Sequence, residues 1–268
     1  MLSDYWQQKR AVVTGGSAGL GRALAATLAA RGAQVVIAAR TAESLERTAR
    51  ELGPAVHGVP CNVCDDAQVR DLVAAAAEQL GGIDIWINAA GKSARGALAD
   101  TSMDQFRELL ELNFLATARC ALAALPQLVE SRGHLVNIGS LASKFAPRWL
   151  GAYPSSKFPV AALSQQLRLE QNDAGLHVLL VCPGPIARED AGQRYDSQAK
   201  GLPESARRPG GGARVKALDP FVLAERILQA CVRRQPELIL PAKAKWLAAI
   251  SQLAPTWGDW LLKRQTKT

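Results

Sequence analysis

Short apolar runs alternate along the chain with longer amphipathic ones. The runs Ala11–Val13, Gln34–Ala38, Ala55–Pro60, Ile83–Asn88, His134–Gly139, His177–Val181 and Leu238–Leu240 are almost continuously apolar. That is the pattern of parallel strands covered on both faces. Between them, Ala18–Arg31, Glu43–Leu52, Ala67–Leu80, Met103–Leu125, Ala152–Asp173 and Pro220–Arg233 carry helical periodicity. Strands alternating with helices predict βαβ units and an α/β fold. The expected architecture is a single Rossmann-type doubly wound parallel sheet of about seven strands with helices on both faces. Two segments break the alternation. Residues 183–216 hold four prolines and the run Gly210-Gly211-Gly212, which predicts a long functional or disordered loop. After the last strand, Trp246, Ile250, Leu253, Trp257 and Trp260 recur at intervals of three and four, on one face of a helical extension. Pro255 is expected to split that extension into two helices.

Composition narrows the class. The 268 residues are 48% hydrophobic, enough for a large core and unlike a disordered chain. No apolar run looks long and pure enough to span a bilayer. The first ten residues lack the apolar core of a signal peptide, so export is not expected. Five cysteines, an odd count, fit reduced thiols in a cytoplasm. Cys61 and Cys64 form a CxxC, but no second pair of ligands follows, so no metal site is expected and small core residues are the better reading. The net charge of +8 comes from residues 191–216 and 243–268, each at +4. Basic residues gathered in two peripheral segments, without interleaved aromatics along a folded face, argue against a nucleic-acid partner.

The first strand runs into Thr14, Gly15, Gly16, Ser17, Ala18, Gly19, Leu20 and Gly21, and a helix follows. Glycines let the backbone turn tightly and approach a diphosphate, and the helix N-terminus offers free N–H groups. NAD enzymes place an acid at the end of the second strand to hold the ribose 2′-hydroxyl. Here Arg40 stands there, which suits the 2′-phosphate of NADP(H). Further along, Tyr153 and Lys157 are four apart and share a helical face. An ammonium beside a phenol favours the phenolate and makes a general acid/base.

Ser140 ends the fifth strand thirteen residues before Tyr153. With the glycine loop, Asn88-Ala89-Ala90-Gly91, Asn113 and Pro183-Gly184-Pro185-Ile186, this order and spacing resembles the short-chain dehydrogenase/reductase family from about Arg10 to Leu240. The resemblance implies an NADP(H)-dependent oxidoreductase acting on CH–OH and C=O groups. Tyr153 would be the proton donor in reduction, and Lys157 would lower its pKa and bind the nicotinamide ribose. Ser140 would hold the substrate oxygen, and Asn113 a water relaying protons to Lys157. Thr14, Gly15, Ser17, Gly19, Leu20, Gly21, Arg40, Asn62, Val63, Asn88, Ala89, Ala90, Gly91, Tyr153, Lys157, Pro183, Gly184 and Ile186 would hold the cofactor. Three departures stand out. Asn62 replaces the family's frequent Asp, Arg188 replaces a Thr near the nicotinamide carboxamide, and Pro154 must fit the first helical turn.

The chain thus divides into a dinucleotide-binding and catalytic domain (1–242), a substrate lid within it (187–216) and an amphipathic Trp-rich tail (243–268). The expected substrate is a hydrophobic or lipid-like ketone or aldehyde. The tail suits covering an apolar pocket, packing on a second subunit, or peripheral contact with an anionic membrane surface. The resemblance also implies a homodimer or homotetramer through Met103–Leu125 and Ala152–Asp173, and a cytoplasmic location follows, at the inner membrane surface if the tail docks there. Competing readings are a 3-oxoacyl carrier-protein reductase and a non-catalytic NADP-binding sensor or scaffold. The extended tail argues against the first. Retention of Asn113, Ser140, Tyr153 and Lys157 argues against the second.

Overall fold

The computed structural model describes residues 4–188, 195, 198–199, 201–207, 210 and 215–265. Arg194, Lys200, Arg208, Arg214 and Lys267, part of the basic excess, and most of the glycine run lie outside the described residues. Seven parallel strands form one sheet in the order β3-β2-β1-β4-β5-β6-β7. They are β1 (Arg10–Thr14), β2 (Gln34–Ala39), β3 (Val56–Pro60), β4 (Ile85–Asn88), β5 (His134–Ile138), β6 (His177–Pro183) and β7 (Glu237–Leu240). The helices are α1 (Gly19–Ala29), α2 (Ala42–Leu52), α3 (Asp66–Leu80), α4 (Met103–Leu110), α5 (Ala116–Glu130), α6 (Tyr153–Gln171), α7 (Pro220–Val232), α8 (Ala244–Leu253) and α9 (Pro255–Gln265). Pro255 does part the tail into two helices.

The continuous apolar strands are explained by the two layers above and below them. Ala11, Val13, Val35, Ile37, Ile85 and Ile87 enter one core with Leu24, Leu28 and Ile227. Their neighbours Val12, Val36 and Trp86 enter the other, with Leu72, Cys120 and Leu128. Alternate residues of one strand therefore feed opposite cores, as the two-residue repeat requires. The strand order reverses direction between β1 and β4, and a crevice opens at their carboxyl ends, where such sheets take ligands.

Helix starts follow local chemistry. Asp65 accepts from Ala67 N and Gln68 N at α3, and Asp219 accepts from Phe221 N and Val222 N at α7. Ser102 and Gln105 form a capping box at α4. Helix α1 has no side-chain cap and no acid in its first turn, so its leading N–H groups face the crevice without a protein acceptor of that kind. Pro154 sits in the first turn of α6, as its missing N–H demands.

Three features differ from expectation. The helix expected over Met103–Leu125 is interrupted at Glu111–Leu115 by one π-helical turn and runs on to Glu130. That stretch, Met103–Glu130, is also long and apolar enough by length and composition to cross a membrane, contrary to the expectation that no run would be. Its apolar side has another use: Ala116, Cys120, Ala124 and Leu128 are buried in the core on the face of β4 and β5. The N-terminal segment also packs more deeply than its polar sequence implies. Trp6 is fully buried, and the Tyr5 hydroxyl lies 2.6 Å from His134 Nε2.

Candidate active site

The turn after β1 is built for close approach. Gly15 N and Gly16 N both donate to Ala38 O, at 2.7 and 3.3 Å. Gly15 has φ +67°, and a Cβ there would lie 2.9 Å from Ala90 Cα. A Cβ on Gly21 would lie 2.2 Å from Gly15 O, so only glycine lets α1 start against the turn. Gly16, absent from the expected binding set, is under the same constraint: its Cβ would meet Ile37 at 2.7 Å. Tight turn, uncapped α1 and nearby cation fit a dinucleotide diphosphate. The cation is Arg188, whose Nη1 lies 3.4 Å from where a Cβ on Gly19 would stand.

Thr14 and Asn88 hold this crevice from beneath rather than lining it. Thr14 Oγ1 accepts from Ala89 N at 3.2 Å and Ala90 N at 3.4 Å. Asn88 Nδ2 donates to Asn137 Oδ1 at 2.9 Å, and Asn88 Oδ1 accepts from Trp86 Nε1 at 2.8 Å. Both side chains are buried and already bonded, so they support the turns that face the cofactor. The other residues expected at the cofactor line a single cavity of about 790 Å³. Arg40 stands exposed at its rim, directly after β2. Asn62 Oδ1 accepts from its own chain at Cys64 N, 3.2 Å away, and keeps a second lone pair for an adenine amino group.

At the other end of the cavity, β5 delivers Ser140 and α6 delivers Tyr153 and Lys157. Ser140 and Tyr153 face the same end of the cavity, and the Ser140 hydroxyl favours the Tyr153 phenolate. Enclosure pushes the Tyr153 phenol up to about 12, against the pull of Ser140 and of the Arg95 guanidinium. Lys157 is buried, which lowers its ammonium to about 8, and its Nζ donates to Ile138 O at 2.8 Å. Ser140 and Arg95 oppose the desolvation, and Lys157 keeps two ammonium hydrogens beyond its bond to Ile138 O.

Asn113 is fully buried in the π-helical turn. Its Oδ1 accepts from Lys92 N, and its Nδ2 donates to Lys92 O and Ser156 Oγ, each at 2.9 Å. Ser156 Oγ donates in turn to Tyr153 O at 2.8 Å. The asparagine therefore ties the turn after β4 to the first turn of α6. Widened π turns recur at functional sites because they re-aim one side chain.

One cation, Arg95, is absent from the sequence expectations, and a second, Arg188, has a place they did not give it. Arg95 is buried, and its Nε donates to Ala206 O at 2.9 Å. Its guanidinium lies 3.9 Å over the Tyr195 ring, and its backbone N donates to Gln198 Oε1 at 2.9 Å. It therefore fastens the described part of residues 187–216 beside Tyr153. Arg188, which stands in place of a threonine near the nicotinamide carboxamide, reaches the start of α1. Neither position carries a local signal, since each partner is remote in sequence. Cys61 and Cys64 line the cavity as free cysteines, and burial pushes the Cys61 thiol up to about 11, away from redox reactivity.

Known proteins resemble this chain in sequence and in fold. The family model for short chain dehydrogenases matches residues 9–199. Dehydrogenase/reductase SDR family member 7B of Danio rerio is 30% identical over 244 residues, 87% of this chain and 77% of its own length. A glycine betaine reductase of Emericella nidulans is 37% identical over 233 residues, 85% of this chain, of whose length the match spans only 18%. The crystal structure of a short-chain dehydrogenase from Streptomyces avermitilis superposes with a TM-score of 0.81 at 26% identity, covering 96% of both chains. This chain belongs to the short-chain dehydrogenase family, as an oxidoreductase acting between CH–OH and C=O groups with a nicotinamide dinucleotide as cofactor.

Proposed function

We propose that this protein is an NADPH-dependent carbonyl reductase for a hydrophobic ketone or aldehyde. The observation that carries the reading is one continuous cavity with Arg40 at one end and the Ser140–Tyr153 hydroxyl pair at the other. The cavity also offers an apolar lining of Leu141, Phe145, Leu150, Val215, Leu247 and Leu262, beside Tyr195, Arg207 and Lys243.

Arg40 makes no ion pair among the described residues and suits a 2′-phosphate. Arg188 suits the diphosphate. The bound dinucleotide supplies a hydride from its reduced nicotinamide. The protein's part is the proton and the charge that develops on the substrate oxygen. A phenol held near 12 stays protonated at neutral pH and serves as the acid for reduction. Ser140 donates to the same oxygen and fixes the carbonyl against Tyr153. Lys157, within a turn of Tyr153, replaces the proton and holds the ribose. Asn113 fixes both the Lys92 turn and Ser156, and so the angle at which Tyr153 meets the substrate. Both Nδ2 hydrogens of Asn113 are already donated, so a relaying water would meet the second lone pair of its Oδ1.

Exposed Leu115 and Leu122 near and on α5, with Phe158 and Leu169 on α6, support association through these helices as a homodimer or homotetramer. Free cysteines and NADPH use fit a reducing cytoplasm.

The test is fluorescence titration with NADPH and NADH, for wild type and Arg40→Ala, beside turnover of ketones of increasing chain length. NADPH is expected to bind at least about tenfold tighter, roughly 1.4 kcal/mol, and Arg40→Ala to erase the difference. Equal affinities in the wild type would remove the NADPH assignment. Tyr153→Phe is expected to abolish turnover while cofactor binding persists. Wild-type binding without turnover of any carbonyl would favour the sensor reading.

A further inference from the structure

We infer that the α8–α9 hairpin is a docking surface for anionic membranes, seated so that the active-site cavity opens beside the lipid. Its two sides have different partners. On the inner side Ala244 and Ala248 are buried, and Leu247 and Leu262 line the cavity. On the outer side Trp246, Leu253, Trp257 and Trp260 are 76%, 86%, 71% and 55% exposed. Large apolar side chains exposed in such a group mark an interaction site. The hairpin presents them as one unit because its helices press together at Gly258, where a Cβ would lie 2.6 Å from Ser251 Cα.

The charge around these rings selects the partner. Lys245, Lys263 and Arg264 share the hairpin with these rings, Lys243 precedes it at the cavity, and Asp259 is the one acid in α8 and α9. None of the four cations has an ion-pair partner among the described residues. Arg264 lies over the Trp260 ring, 5.4 Å from its centroid. Tryptophans carry an apolar body and a polar N–H, which suits the headgroup boundary, and basic residues beside them are drawn to anionic lipid. A second copy of the chain is the weaker occupant. Pairing this face with itself would oppose like charges, which costs affinity. The uncharged leucines on α5 and α6 offer self-association a better surface.

The consequence for substrate choice rests on the carbonyl-reductase reading, whereas the docking itself does not. A surface-bound protein with Leu247 and Leu262 at the inner wall would draw a lipid-like carbonyl compound from the bilayer.

Co-sedimentation with vesicles of phosphatidylcholine alone, and of phosphatidylcholine with phosphatidylglycerol, tests it without substrate. The full chain is expected to bind the anionic vesicles, with tryptophan emission shifting to shorter wavelength, and to release them near 1 M salt, where the Debye length is about 3 Å. Charge reversal of Lys245, Lys263 and Arg264 should weaken binding by roughly a hundredfold, since each cation contributes severalfold. Replacing Trp246, Trp257 and Trp260 by serine should abolish the emission shift. These positions are exposed, and unchanged circular dichroism and water-soluble ketone turnover would show that both variants fold. Failure to bind anionic vesicles overturns the proposal. So does binding to neutral vesicles that is indifferent to charge, or light scattering that shows the tryptophan variant breaking a dimer. Vesicle binding without ketone turnover by the wild type would instead sink the reductase reading and leave the docking intact.

Discussion

Asn113 separates structure from chemistry most sharply. Replacing it with alanine removes three hydrogen bonds of 2.9 Å, two to the backbone of Lys92 and one to Ser156. Each such bond is worth about 1 kcal/mol net, and more where the abandoned partner stays buried. Lys92 is only part-buried, so water recovers some of its share. The sum is a loss of about 3 kcal/mol for Asn113→Ala. Urea unfolding followed by circular dichroism, without cofactor, should show the midpoint falling at an unchanged slope. Turnover should fall too, because Ser156 loses the bond that sets it against Tyr153 O. Asn113→Asp adds a second reading. It keeps the acceptor for Lys92 N but places a carboxylate near Lys157, since one point, where a Cβ on Gly91 would stand, lies 2.8 Å from Asn113 Oδ1 and 3.5 Å from Lys157 Nζ. The Lys157 ammonium, now lowered to about 8, should then titrate higher, moving the alkaline limb of the turnover profile upward. The reasoning fails if Asn113→Ala stays within about 0.5 kcal/mol of wild type in stability while turnover collapses. Asn113 would then act on the chemistry directly and not as an anchor.

Two further predictions concern other parts of the molecule. His134 and His177, hydrogen-bonded at Nδ1–Nδ1 2.8 Å, are lowered by burial to about 3 and about 4 from an ordinary 6.5. The unfolded chain takes up protons below pH 6.5 that the native pair refuses, so their contribution to stability is full above that pH and declines as pH falls toward 4. The loss is on the order of 2 kcal/mol per histidine by pH 5. Urea midpoints at pH 7.5 and 5 should differ less in a His134→Gln/His177→Gln variant, and an unchanged pH dependence would contradict the assignment. Arg188→Thr should weaken NADPH and NADH alike, by about tenfold each, because the diphosphate is common to both. A loss confined to NADPH would move Arg188 to the 2′-phosphate.

The sequence alone determined the class of this protein, because its signals are local. Two-residue and 3.6-residue periodicities place strands and helices, glycines mark the turn after β1, and a four-residue interval puts Tyr153 and Lys157 on one face. Pro255 ends one helix and begins another for the same local reason. The tertiary structure decided what depends on residues far apart in the chain. Arg95 meets Ala206 across 111 positions, His134 meets His177 across 43, and Asn113 meets Ser156 across 43. No periodicity encodes such pairs. Strand order brings Asn113 between Lys92 and Ser156, turns Arg188 toward α1 and buries Trp6. The tail shows the boundary clearly. Its apolar face is written in the spacing of its tryptophans, but only packing decided that Leu247 and Leu262 turn to the cavity while those tryptophans face out. A helix fixes which side chains share a face, and its neighbours in space fix which face is buried.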